Sequence, residues 1–105
     1  MKKIFKYALG NDDQSVGEEI IIQMPMHAEI LTIQAQFGAP MIWALVEPTA
    51  ATESRTFQIF GTGQPIPEIT GVNRKYIGTY QIVSGTYVFH VFELCTPVYH
   101  LKDTD

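Results

Sequence analysis

The sequence predicts an all-β domain, a single antiparallel β-sandwich or small barrel of about seven strands. Apolar residues recur with period two in most segments, the spacing of a strand rather than of a helix. Clusters of Gly, Pro, Asn, Asp and Ser punctuate those segments at near-regular intervals. No stretch keeps a helical period for more than a turn or two.

The first strand is expected over Lys3–Leu9, with Phe5, Tyr7 and Leu9 on one face and Lys6 on the other. A polar loop, 10–17, follows. Glu18–Met24 is a β-branched run through Ile20, Ile21 and Ile22, stopped at Pro25-Met26-His27-Ala28, where a short helical turn is expected. Glu29–Phe37 alternates most cleanly: Leu31, Ile33, Ala35 and Phe37 face one way, Thr32, Gln34 and Gln36 the other. Gly38-Ala39-Pro40 then connects to Met41–Glu47 as a hairpin. This strand is apolar on both faces, Met41, Trp43 and Leu45 against Ile42, Ala44 and Val46.

Pro48–Thr52 reads as a loop and Glu53–Phe60 as a strand, with Phe57 and Ile59 inward and Thr56 and Gln58 opposite. The long connection 61–73 carries three glycines and two prolines. Tyr76–Val83 and Tyr87–Leu94 form a second hairpin about Ser84-Gly85. Tyr87–Leu94 is again apolar on both faces: Tyr87, Phe89 and Val91 oppose Val88, Phe92 and Leu94, with His90 among the latter. A strand bordering solvent would alternate apolar with polar residues, so both two-sided strands are expected at the centre of the fold. At least one of their outer faces is expected to be closed by another copy of the chain.

The 105 residues fit one domain, read as 1–95 with a C-terminal tail, 96–105. With 46% hydrophobic and 17% charged residues the chain is unlike a disordered one, and some apolar surface is expected to be buried in an assembly. The net charge of −4 speaks against nucleic acid as the main ligand. Lys2, Lys3, Lys6 and the pair Arg74-Lys75 read as solvated surface. One cysteine, Cys95, forbids an intrachain disulfide and fits a reducing cytoplasm. No long apolar run follows the N-terminal lysines, so neither a signal peptide nor a membrane span is expected.

Candidate chemistry is sparse. His90, Cys95 and His100 are five residues apart, and on one strand His90 and Cys95 would point to opposite faces, so no metal site is expected. His90 reads as a satisfied core or interface histidine, and Cys95 as a small buried hydrophobe. No nucleophile elbow is present, and no catalytic residue or cofactor is expected. Asp12-Asp13 and Glu18-Glu19 read as solvated pairs. The loop Gly61-Thr62-Gly63-Gln64-Pro65-Ile66-Pro67 has two readings. It is a strand exit that needs positive φ, or an exposed set of backbone amides able to meet an anion.

Four strings occur in order: Trp43-Ala44-Leu45-Val46-Glu47-Pro48, then Phe57-Gln58-Ile59-Phe60-Gly61-Thr62-Gly63-Gln64-Pro65-Ile66, then Tyr76-Ile77-Gly78-Thr79-Tyr80-Gln81, then Val88-Phe89-His90-Val91-Phe92-Glu93-Leu94. Together they resemble a family of small all-β proteins of tailed phages, prophages and some bacteria, a domain of unknown function, over residues 3–94. Relatives often carry histidine where this chain has Gln64, which removes a candidate catalytic histidine from the loop. The resemblance implies a phage-encoded protein in the cytoplasm of an infected or lysogenic bacterium.

The expected function is that of a non-enzymatic accessory protein acting by binding. It would inhibit host defence by sequestering a small nucleotide or by blocking a host protein. The expected nucleotide site is Gly61, Thr62, Gly63 and Gln64 with Trp43, Tyr80 and Gln81, amides meeting phosphate and a ring stacking the base. The alternative is an assembly module without ligand chemistry, a homo-oligomer whose interface holds Val88, His90, Phe92 and Leu94.

Overall fold

A computed structural model describes residues 1–10 and 16–95. Asp12-Asp13, His100 and the tail 96–105 lie outside the described residues. The described residues form an all-β sandwich of seven strands: β1 (Lys3–Ala8), β2 (Ile20–Pro25), β3 (Glu29–Gln36), β4 (Ala39–Val46), β5 (Thr52–Gly61), β6 (Arg74–Ile82) and β7 (Tyr87–Leu94). All pairings are antiparallel. Sheet A has the order β1-β4-β3 and sheet B the order β2-β5-β7-β6. The two-sided strands β4 and β7 are therefore each flanked by two neighbours, as their patterning predicts.

The core fills the space between the sheets. Ile42, Ala44 and Val46 of β4 meet Phe57 of β5 and Val91 of β7, all at most 1% exposed. Leu9, Ile20, Met24 and Ile33 close its borders. Burying a side chain such as Phe57 stabilises the fold by roughly 1.5–3 kcal/mol. The sheets come closest at β3 and β6. A Cβ on Gly78 would lie 2.6 Å from Cγ2 of Ile33, so only glycine lets the two strands approach this far.

Three local expectations need correction. A bulge between Ile30 and Thr32 inserts an extra residue into β3, so Ile30 joins Ile33 and Ala35 on the inner side and Leu31 is 43% exposed. The β3–β4 hairpin turns at Phe37-Gly38, both at positive φ (53° and 79°), and Ala39 and Pro40 already belong to β4. Phe37 is consequently fully exposed rather than inward. No helical turn forms at Pro25–Ala28: Pro25 ends the edge strand β2, His27 sits at φ 66°, and Ala28 N–H donates to the Pro25 carbonyl. The second hairpin turns about Ser84-Gly85, with Thr86 N–H donating to Val83 O, but β6 ends at Ile82 and Val83, expected in the strand, lies in the turn at φ 54°.

A charged group stands on the inner side of sheet B, Arg55 between Glu93 and, at 3.8 Å, Glu53. Glu93 is 7% exposed, beside Phe57 in the register. Arg55 donates Nε and Nη2 to its two carboxylate oxygens, and Nη1 to the Ala28 carbonyl at 2.9 Å. The hydrogen bond to Glu93 raises the Arg55 pKa against the opposing pull of burial. This fork ties β5, β7 and the β2–β3 turn together.

Candidate functional site

The outer face of sheet B carries a second cluster, separate from the core. Opposed residues in antiparallel strands share a face. The register therefore aligns Gln58, Phe92 and Tyr76 in one row, Phe60, His90 and Thr79 in the next, and Val88 with Gln81 beyond. Phe60 and Phe92 meet edge to face at 6.1 Å between centroids, and Tyr76 meets Phe92 at 5.7 Å. Phe60 is 2% exposed, although it points away from the core. It lies beneath the 61–73 connection, which returns across this face to Arg74.

Arg74 is no solvated surface residue. Its Nε donates to Gln58 Oε1 at 2.9 Å, its Nη1 to the Pro67 carbonyl at 2.7 Å, and its guanidinium lies 5.7 Å from the Phe60 ring centroid. Gln58 in turn donates to the Gly17 carbonyl at 2.7 Å. A groove of about 460 Å³ remains here, lined by Val16, Gly17, Phe60, Pro65, Ile69 and Arg74 among others.

Beside the aromatic cluster runs a chain of hydroxyls about one imidazole. Thr62 Oγ1 is 2.7 Å from His90 Nε2, and Thr79 Oγ1 is 2.9 Å from Nδ1. The Tyr76 hydroxyl bonds Thr79 Oγ1. Thr62 Oγ1 also reaches the Val88 carbonyl at 3.4 Å. One arrangement satisfies every member of a neutral ring: Thr62 donates to Val88 and accepts from Nε2–H, while Nδ1 accepts from Thr79. The bulge between Tyr76 and Gly78 brings Thr79 onto the face of Tyr76, three residues away.

The loop Gly61–Gln64 closes on itself. Gly61 N–H donates to Gln64 Oε1 at 3.0 Å, Gln64 N–H to the Gly61 carbonyl at 3.0 Å, and Thr62 N–H to the Val88 carbonyl at 3.2 Å. These amides are occupied by the chain itself. Gly63 has φ 86°, the positive φ that the strand-exit reading requires and that glycine adopts without strain.

The seven residues expected about a nucleotide do not gather in one place. Thr62 and Gln81 flank Val88 on the outer side of sheet B. Trp43 lies on the outer side of sheet A, opposite Lys6 and Thr32. Tyr80 is a core residue, 7% exposed, whose hydroxyl burial pushes up to about 12. The four expected interface residues, Val88, His90, Phe92 and Leu94, do share one face and are half-buried. Cys95 is exposed rather than buried, its amide held by the Asn73 carbonyl at 2.8 Å. Glu18 and Glu19 are exposed, as expected.

Reading the sequence alone missed Gln58, Arg74 and Thr79 as members of a site and did not place Tyr76 beside them. Gly78, a glycine inside a strand, is the available signal for the bulge that assembles two of them. Among the described residues, no group of three or more His, Cys, Asp or Glu side chains could hold a metal ion, and no helix is long and apolar enough to cross a membrane.

The chain belongs to the family described as domain of unknown function DUF7352, whose model matches residues 1–100. No curated protein and no solved structure gives a significant match.

Proposed function

We propose that this DUF7352 member is a non-enzymatic, phage-type accessory protein that acts by binding another protein through the outer face of sheet B. The setting is the cytoplasm of an infected or lysogenic bacterium, and the partner is a host protein, a defence component above all. One observation carries the reading. The Tyr76, Thr79, His90 and Thr62 side chains are braced against one another on an accessible face, Tyr76 at 55% exposure, over a closed aromatic cluster. Aromatic and hydroxyl groups preordered on a rigid sheet lose little entropy on association. Threonine hydroxyls on both imidazole nitrogens fix the orientation of the His90 ring within this surface.

The nucleotide version has weaker support, because Trp43 and Tyr80 lie apart from the loop and the Gly61, Thr62 and Gln64 amides are bonded within the chain. The assembly-module alternative is favoured by the part-exposed apolar row Ile4, Trp43 and Leu45 on sheet A.

Photo-crosslinking tests the reading. Benzoylphenylalanine at Tyr76 or Gln81 is expected to capture the same host protein in cells, and at Trp43 to capture none of it. Equal capture from both sheets, or heat from cyclic or ADP-ribose-type nucleotides in calorimetry with no face-specific capture, would replace it.

A further inference from the structure

Among the described residues, the strand order leaves β1 and β2 each with a hydrogen-bonded neighbour on one side only. The other two border strands, β3 and β6, pack against each other where the sheets converge. The sandwich is thus closed along one side and presents two strand edges along the other.

Both edges are apolar enough to be covered. On β1, Ile4 is 59% and Phe5 36% exposed, and on β2, Ile21 is 61% exposed. They differ in charge. Lys2, Lys3 and Lys6 lie along and beside β1, all exposed, and no acidic residue lies among residues 1–10. Glu18 and Glu19, also exposed, lead into β2. Lysines on an edge oppose its pairing with an identical edge, and so do the glutamates beside β2. A basic edge against an acidic edge is complementary.

We infer that the protein dimerises about a two-fold axis, with the β1 edge of each copy pairing to the β2 edge of the other. A two-fold axis satisfies both pairings at once, because each copy offers one basic and one acidic edge. Sheet A of one copy then continues into sheet B of the other; Phe5, on the core side of β1, leaves solvent, and Ile21, on the outer side of β2, gains a neighbouring strand. The β2 edge lies across β5 from the His90 and Phe92 cluster, although Glu18 also lines the groove beside Phe60, so the two readings are tested apart: sedimentation reads the pairing, and crosslinking at Tyr76 reads the face.

The test exchanges the charges. One variant carries Lys3→Glu and Lys6→Glu, the other Glu18→Lys and Glu19→Lys. Sedimentation is expected to show a wild-type dimer that weakens with added salt, and two variants that are monomers alone. Mixed in equal amounts they are expected to form a dimer, since every edge then meets its opposite. A wild-type monomer at every concentration, swapped variants that stay dimeric, or a mixture that stays monomeric would overturn the inference. Disulfide trapping provides a check with the edge charges unchanged. In a Cys95→Ser background, Ile4→Cys mixed with Ile21→Cys is expected to crosslink at least tenfold faster than either variant with itself. Equal rates would overturn the pairing.

Discussion

β4 and β7 look alike as strings and end in different surroundings. Both are apolar on both faces, both are central, and both send one row into the same core, where Ile42 and Val91 are fully buried. Their outer rows diverge. Met41, Trp43 and Leu45 of β4 are flanked by Ile4, Lys6 and Ala8 on one side and Glu29, Thr32 and Gln34 on the other. Val88, His90 and Phe92 of β7 belong to a bonded cluster, next to a connection that crosses their sheet. Two-sided apolarity announces that a face is not an ordinary solvent face. It does not say whether the chain itself supplies the cover.

The inner rows differ too, and breaking that difference gives the largest expected effect. β7 carries Glu93 inward, and β4 carries no charge there. Arg55→Ala would leave this carboxylate buried without its fork and is expected to cost about 3–5 kcal/mol in urea unfolding. Replacing both partners, Arg55→Leu with Glu93→Leu, is expected to recover most of that loss. A double variant as unstable as Arg55→Ala would mean that the fork contributes more than neutralising a buried charge.

The outer rows are compared by truncating one aromatic on each. Phe92 touches both Phe60 and Tyr76, so Phe92→Ala is expected to cost roughly 3 kcal/mol. Trp43→Ala, on the more open sheet, is expected to cost about 1 kcal/mol when measured on dilute monomer. Equal losses would erase the distinction between the two faces.

Much of the fold was legible and much of the site was not, for one physical reason. Period-two alternation is local: it placed Phe57 and Ile59 inward, and it separated the two rows of β4 and of β7 without saying which row, that of Ile42 or of Val91 included, meets the core. It failed where a single residue was inserted. The bulge at Leu31 exposed a leucine assigned to the core, and the turn at Phe37 exposed a phenylalanine. The outer cluster depends on where 61–73 crosses sheet B and on which nitrogen of Arg74 meets Gln58 and Pro67. Those contacts join distant parts of the chain and leave no periodic trace. Phe60 shows the consequence: by alternation it faces outward, and by burial it belongs inside.

Tyr80 extends the comparison along the inner side of β6, where it pairs with Phe89. Burial pushes its hydroxyl up to about 12, against roughly 10 in the unfolded chain. The folded state therefore keeps a proton that the unfolded state loses. Stability from this source is whole below pH 10 and falls as pH rises from 10 through 12. The two-unit difference bounds the loss at about 2–3 kcal/mol. Tyr80→Phe is expected to flatten the stability profile across that window, read by chemical unfolding at successive pH values. An unchanged slope would mean that Tyr80 ionises in the fold as readily as outside it.

The smallest effect tests whether the hydroxyl chain is as specific to β7's face as the aromatics are. Thr79→Val keeps the shape and removes one hydroxyl, which leaves His90 Nδ1 and the Tyr76 hydroxyl without their described partner. Both sites are partly open to water, so the expected cost is about 1 kcal/mol, near an ordinary net hydrogen bond. Gln36→Ala on the other sheet removes the 2.7 Å bond from exposed Lys6 Nζ and is expected to change stability by about 0.5 kcal/mol or less. The more telling readout is the imidazole itself. With Thr79 gone, the ring is held only by Thr62, and nitrogen-15 shifts of His90 are expected to move from one tautomer toward a mixture. A ring that keeps a single tautomer in Thr79→Val would show that Thr62 and the Val88 carbonyl alone orient it.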